Sequence, residues 1–318
     1  MAKVNQIEVS IVVPLYNEEE SLPHLVEKTA AAMRPTGKAW ELVCVNDGSR
    51  DGTADVLEQL EAKYPELVGV YFRRNYGQTA AMQAGFDTAK GKVIVTMDGD
   101  LQNDPKDIPA LLAKMDETGA DIVSGWRKER KDAELTSNFP SRVANRLISK
   151  ITGLKLHDSG CSLKAYKADL LDELRIYGEL HRFIPAVAMQ YGAKVDEVVV
   201  THHARQFGES KYGLDKTIRV ALDIIQLYFF QKFLHRPMHF FGYMGLVLMV
   251  PGGLMMTWLF LLKLFGHDIG DRPMLIVAVM LILLGVQLLG MGVLGEVLTR
   301  IYHEPQGRKQ YLLRTRSK

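Results

Sequence analysis

A chain of 318 residues, 47% hydrophobic and 24% charged, has the length for one or two domains and the apolar content for a sizeable core. A formal net charge of +2 lacks the basic excess of a nucleic-acid binder, so no nucleic-acid partner is expected. The two cysteines, Cys44 and Cys161, have neither metal-ligand spacing nor a disulfide framework and read as reduced thiols.

Strand and helix patterns alternate from the amino end, where no secretory signal is visible before the first strand. Residues 9–14 are β-branched and read as a buried strand stopped by Pro14, followed by a loop through Tyr16, Asn17 and Glu18 and a helix over 22–33. Strands over 40–45 and 67–72 and helices over 53–63 and 78–89 come next. Short connections between them predict a doubly wound, mainly parallel sheet. The run at 92–97 is the central strand, and it ends in Asp98-Gly99-Asp100-Leu101-Gln102. Open α/β sheets bind ligands at the carboxyl ends of their strands. Two carboxylates one residue apart suit a hard cation, Mg²⁺ or Mn²⁺, bridging the phosphates of a nucleotide. The alternative is a helix cap with a solvated turn.

Past Pro105 a helix runs to about residue 117, a strand to 125, and a charged segment over 126–138 reads as a mobile loop over the site or a solvated connector. A helix over 141–152 and a late strand over 195–201 complete this part. Residues 214–234 carry Asp215, Arg219 and Asp223 on one side and Ile218, Leu222, Ile225 and Phe229 on another. That amphipathic helix either rests in a bilayer interface or packs on the sheet.

Residues 238–262 and 273–295 contain no Lys, Arg, Asp or Glu, and each is long enough to cross a bilayer. A buried core hairpin is the alternative. His235 and Arg236 precede the first run, and Arg300 and the basic tail from Arg308 to Lys318 follow the second, which places the large domain and both termini in the cytoplasm. No strict Gly-x-x-x-Gly joins the spans. The expected organisation is therefore 1–213, a cytoplasmic α/β domain; 214–236, an interfacial helix; 237–299, a transmembrane hairpin; and 300–318, a cytoplasmic tail.

Several strand ends converge on one edge with chemistry suited to a nucleotide sugar. Asp47 can accept from a base N–H or a ribose hydroxyl, and the loop through Pro14, Tyr16, Asn17 and Glu18 can close over the base. Asp98 and Asp100 can hold a metal, with Gln102 near enough to add an oxygen, and Arg127 has the planar fork that neutralises phosphate.

Five segments carry a family resemblance: Val12-Val13-Pro14-x-Tyr16-Asn17-Glu18, Asn46-Asp47-Gly48-Ser49, Arg74-Asn75-x-Gly77, Met97-Asp98-x-Asp100-Leu101-Gln102-x-x-Pro105, and Gly208-Glu209-Ser210-Lys211-Tyr212. Together they resemble the polyprenyl-phosphate glycosyltransferases of glycosyltransferase family 2. That group includes dolichol-phosphate mannose synthases, bactoprenol glucosyltransferases and undecaprenyl-phosphate formamido-arabinose transferases. The resemblance implies a GT-A (Rossmann-like) domain, a nucleoside-diphosphate sugar donor and a divalent metal, Mg²⁺ or Mn²⁺, at Asp98 and Asp100. It also implies inverting transfer to a polyprenyl phosphate at the inner (plasma) membrane. Arg205, Ser210 and Lys211 then fall at headgroup level as acceptor-phosphate ligands, or else form a basic segment drawn to anionic lipid. Ser141, Arg142 and Arg146 are further acceptor candidates. A homo-oligomer is expected.

The stretch Asp158-Ser159-Gly160-Cys161-Ser162-Leu163-Lys164 replaces the Gly-Phe-Arg string of many relatives and is closer to the formamido-arabinose branch. Asp158 is the candidate base. A UDP-sugar is favoured as donor, with GDP-mannose as the alternative. Transfer to a sugar hydroxyl and a catalytically silent nucleotide-sugar module are the competing readings. A phosphate monoester is already mostly dianionic at neutral pH, so a strong base is less necessary than for a hydroxyl acceptor. Asp158→Asn is expected to lose less activity than Asp100→Asn. Initial rates of the two variants test this, and the opposite order refutes it.

Overall fold

The computed structural model describes residues 6–128, 156–173, 184–190, 192–204, 233, 237–270 and 273–303. The expected helices at 141–152 and 214–234, most of the charged loop and the basic tail lie outside the described residues. So do Ser141, Arg142, Arg146, Arg205, Ser210 and Lys211. The chain divides into two compact units, Met1–Ile225 and Gln226–Lys318.

In the first unit, strands and helices alternate: β1 (Val9–Leu15), α1 (Leu22–Met33), β2 (Trp40–Asn46), α2 (Thr53–Lys63), β3 (Leu67–Tyr71), α3 (Gln78–Thr88), β4 (Val93–Thr96), α4 (Ile108–Thr118) and β5 (Ile122–Trp126). Beyond them are β6 (Lys164–Lys167), α5 (Ala168–Glu173), α6 (Ile184–Gln190) and β7 (Val195–Val199). They form one seven-stranded sheet in the order β3-β2-β1-β4-β6-β5-β7. All of its pairings are parallel except those of β6, which runs antiparallel to both β4 and β5. The sheet is thus mainly parallel, as the alternation of patterns implies, with one reversed strand that those patterns did not show.

The centre of the sheet reads as continuous apolar runs because both faces are covered. Val9, Ile11, Val13 and Leu15 share one core with Leu22, Leu25, Val26 and Met33 of α1, Leu57 of α2 and Leu111 and Met115 of α4. On the other face Val12 meets α3 at Gly85, where a Cβ would overlap the valine.

Pro14 does not stop β1, which continues to Leu15. Along β1 the even-numbered residues turn their peptide groups toward β4, as when the Val12 carbonyl accepts from the Met97 N–H at 3.2 Å. β4 ends opposite Val12, so Pro14 lies where no ladder bond is missed.

The second unit consists of α7 (Pro237–Leu264) and α8 (Pro273–His303), both long and apolar enough to cross a membrane. They pair through glycines at heptad spacing. A Cβ on Gly245 would stand 2.7 Å from the Gly285 carbonyl oxygen, and one on Gly292 would stand 2.8 Å from the Met238 sulfur. Small residues that let backbones approach are therefore present without a strict Gly-x-x-x-Gly.

Candidate active site

The site grows from the end of β4. Asp100 is buried and Asp98 partly so, and Gly99 between them packs against β1, where an added Cβ would lie 2.8 Å from Leu15 Cδ2. Leu101 adopts a φ of 58°, a left-handed conformation that costs a non-glycine residue about 1 kcal/mol. Its buried side chain holds the turn, as do two backbone bonds of the next residue. The Gln102 N–H donates to Asp100 Oδ1 at 3.2 Å, and the Gln102 carbonyl accepts from the His203 N–H at 2.8 Å. Burial and then the adjacent Asp100 charge push the Asp98 carboxyl above the ordinary carboxylate range. A hydrogen bond with Ser162 and the charges of Arg127 and Lys164 oppose that rise. Gln78, at the start of α3, also donates to Asp98 Oδ1, at 2.8 Å.

Reversal of β6 brings the preceding turn to the same edge. Lys164 pairs in register with Thr96 of β4 and Ser124 of β5, so residues 158–163 arrive beside the strand ends. There Asp158 and Arg127 form a bidentate ion pair, Nε to Oδ2 at 2.7 Å and Nη2 to Oδ1 at 3.1 Å, with only 5% and 11% of their side-chain surfaces exposed. The Gly160 N–H adds a bond to Oδ1 at 3.2 Å. Lys164 is buried and clamps the turn, donating to the carbonyls of Ser159, at 3.3 Å, and Cys161. Burial lowers its tendency to hold a proton, and neighbouring negative charge partly restores it. Thr96 Oγ1 bonds the Ser162 carbonyl at 2.7 Å, and Asn103 Nδ2 reaches Ser162 Oγ at 2.8 Å.

On the flank toward β2, the loop at 14–18 is tied to the loop after β2. The Asn17 N–H donates to Ser49 Oγ at 3.0 Å, Asn17 Oδ1 accepts from the Arg50 N–H at 2.9 Å, and the Glu18 N–H donates to Thr53 Oγ1 at 2.8 Å. Tyr16 and Pro14 are partly buried beside them. Asp47 is buried, and its oxygens accept the backbone amides of Tyr76, at 2.7 Å, and Gly77, at 2.9 Å. Gly48 has a φ of 63° and would bring a Cβ within 2.6 Å of Arg74 Cα. Both features make it a glycine position.

Asp98, Asp100, Gln102, Arg127 and Asp158 thus gather at one edge, with the loops of Pro14, Tyr16, Asn17, Glu18 and Asp47 beside them. Gln78, Ser162 and Lys164 join them without having been singled out in the sequence. Lys164 had a signal, a lysine directly before the apolar Ala165-Tyr166, which marks a strand entering the core. Among the described residues no three His, Cys, Asp or Glu side chains form a cage. Two adjacent carboxylates fit Mg²⁺ or Mn²⁺, which keep waters and take phosphate oxygens as their other ligands.

Residues 10–175, from β1 past the reversed β6, match the family model described as glycosyl transferase family 2. The chain belongs to glycosyltransferase family 2. This family 2 enzyme is 46% identical over 315 residues to the dodecaprenyl-phosphate galacturonate synthase of Rhizobium johnstonii, covering 98% of this chain and 93% of the relative. It is 36% identical over 308 residues to an undecaprenyl-phosphate 4-deoxy-4-formamido-L-arabinose transferase of Salmonella paratyphi A, covering 96% and 92%. Its fold is GT-A. A Mycobacterium tuberculosis glucosyl-3-phosphoglycerate synthase, solved with Mn²⁺, UDP and phosphoglyceric acid, superposes with a TM-score of 0.54 at 16% identity, covering 71% of this chain and 78% of that one.

In this family 2 enzyme, Lys164→Met removes the donors to two carbonyls and a cation near Asp98 and Asp158. It is expected to cost about 2 kcal/mol of stability. Denaturant unfolding of the detergent-solubilised full chain measures it, and an unchanged midpoint would mean that the turn does not depend on the clamp.

Proposed function

We propose that this enzyme transfers a sugar, with inversion, from a nucleoside-diphosphate donor to the phosphate of a polyprenyl lipid such as undecaprenyl phosphate. The reaction takes place on the cytoplasmic face of the inner membrane and serves modification of the cell envelope. The observation that carries this reading is a likeness extending over nearly the whole chain, the two apolar helices included, to two relatives whose names both join a sugar to a polyprenyl phosphate. A hexuronate such as galacturonate is the leading sugar, because the relative named for it is the more similar of the two. UDP is taken as the carrier and GDP as the alternative; fold neighbours are solved with Mn²⁺ and either nucleotide, so the donor panel decides between them.

Asp98 and Asp100, with Gln102, would hold Mg²⁺ or Mn²⁺, and the bound cation supplies charge neutralisation at the pyrophosphate. The acceptor phosphate oxygen forms a bond to the anomeric carbon as the bond from that carbon to the nucleoside diphosphate breaks. The diphosphate leaves with the electron pair, and an α-linked donor gives a β-linked product. Asp158 holds the Arg127 fork through Nε and Nη2, and the guanidinium so fixed stabilises charge on the departing phosphate without having to reorganise. Asp158 already accepts from Arg127 and Gly160, which suits orientation of the guanidinium and the acceptor more than removal of a proton. The loops of Pro14, Tyr16, Asn17, Glu18 and Asp47 hold the nucleoside. Arg205, Ser210 and Lys211, with Ser141 and Arg142, hold the acceptor phosphate. With both apolar helices as spans, the GT-A domain and both termini lie in the cytoplasm.

Purified enzyme incubated with undecaprenyl phosphate, Mg²⁺ or Mn²⁺ and a panel of UDP- and GDP-sugars, with lipid products read by mass spectrometry, tests this reading. UDP-galacturonate is expected to give a glycosylated lipid phosphate, and EDTA to abolish it. Product from GDP-mannose alone overturns the nucleotide assignment, and the absence of product from every donor overturns the acceptor. A second expectation follows from Asp98. Because its carboxyl is raised, acidification neutralises it before ordinary carboxylates, so the affinity for Mn²⁺ alone, without a nucleotide whose terminal phosphate itself titrates at about pH 6, falls as pH drops, starting above the usual carboxylate range. Calorimetric titrations at stepped pH check this, and an affinity that is flat down to ordinary carboxylate pKa values refutes it.

A further inference from the structure

Gln287 is the one carboxamide in the Pro273–Leu298 span, and it lies close to the middle. Its side chain is exposed. Gly285 and Leu289, which meet α7, are each two residues away, about 200° round the helix, so Gln287 faces away from its own hairpin. In the other span, Thr257 Oγ1 donates to the Gly253 carbonyl at 2.8 Å and so is satisfied within its own helix. Among the described residues nothing hydrogen-bonds the Gln287 carboxamide.

A carboxamide facing hydrocarbon at mid-bilayer has lost water at both its donor and its acceptor, and neither acyl chains nor a polyprenyl tail can replace it. The same face is otherwise apolar, with Leu283 58% and Leu294 64% exposed, and it carries no charge that asks for an opposite partner. Gly290, three residues on, has open space where a Cβ would stand, which leaves room for another backbone to approach. A carboxamide is both donor and acceptor and is therefore complementary to itself across a two-fold axis.

We propose that Gln287 pairs with Gln287 of a second copy of this chain inside the bilayer, an inference that rests on reading α8 as a membrane span. The interface is isologous, with Leu283, Gly290 and Leu294 packing around the paired amides.

The test uses the full chain in phospholipid vesicles. Gln287→Cys is expected to form an oxidant-induced disulfide dimer, and Val286→Cys, one position round the helix, to form much less. Cys44 and Cys161 are buried and contribute no background. Energy transfer between labelled copies is expected to report an association about tenfold weaker for Gln287→Leu, with Gln287→Asn in between. Association unchanged by Gln287→Leu, or a wild-type chain that is monomeric while resisting alkaline carbonate extraction, overturns the pairing alone. Release of the wild type by carbonate overturns the span itself, and the pairing with it.

Discussion

Two carboxylates confined to one turn at the end of a buried strand are the constraint that orders the rest of this molecule. Asp98 and Asp100 repel, and burial sharpens the repulsion because less water is present to screen it. The surrounding groups answer that charge. Ser162 and Gln78 bond Asp98, and the charges of Arg127 and Lys164 favour its ionised form. Such an arrangement suits the divalent cation and pyrophosphate of the proposed reaction. It concentrates negative charge at one point and surrounds it with positive charge and donors.

The reversed strand is what makes this possible. Were β6 parallel to its neighbours, the turn at 158–163 would lie at the opposite edge of the sheet. Running antiparallel between β4 and β5, it delivers Asp158 to Arg127, Ser162 to Asp98 and the Lys164 ammonium to the turn itself. The Asp158 to Arg127 pair is nearly dry, so neither partner can be lost cheaply, and the guanidinium is held in one orientation. Pre-orientation of this kind suits a transfer whose acceleration comes from positioning and leaving-group electrostatics.

The second unit is built by a different rule, being long and apolar enough to cross a membrane. Within the hairpin, glycines at heptad spacing bring two backbones together, and the apolar side chains point outward. Gln287, exposed and without a hydrogen-bond partner among the described residues, departs from that pattern, and its placement away from α7 underlies the proposed contact with a second copy.

Much of the architecture was legible in the chain because its signals are local. β-Branched runs ending in turn residues marked β1, β2 and β4, and the absence of charge over 238–262 and 273–295 marked the two long helices. Asp98, Asp100 and Arg127 could be named as a group because parallel strands deliver their ends to a common edge. The direction of β6 could not be read, since four residues of strand give no indication of which neighbours they pair with or in which sense. The engagement of Asp47 by the Tyr76 and Gly77 amides, and the pairing of Arg127 with Asp158, are contacts between residues about thirty apart in sequence, set by how separate turns meet in space. The sequence by itself determined which elements form and which chemistry stands at their ends, because propensity and burial pattern act over a few residues. Only the tertiary structure decided which of those charges touch, because that depends on strand order, strand direction and the packing of loops remote from one another along the chain.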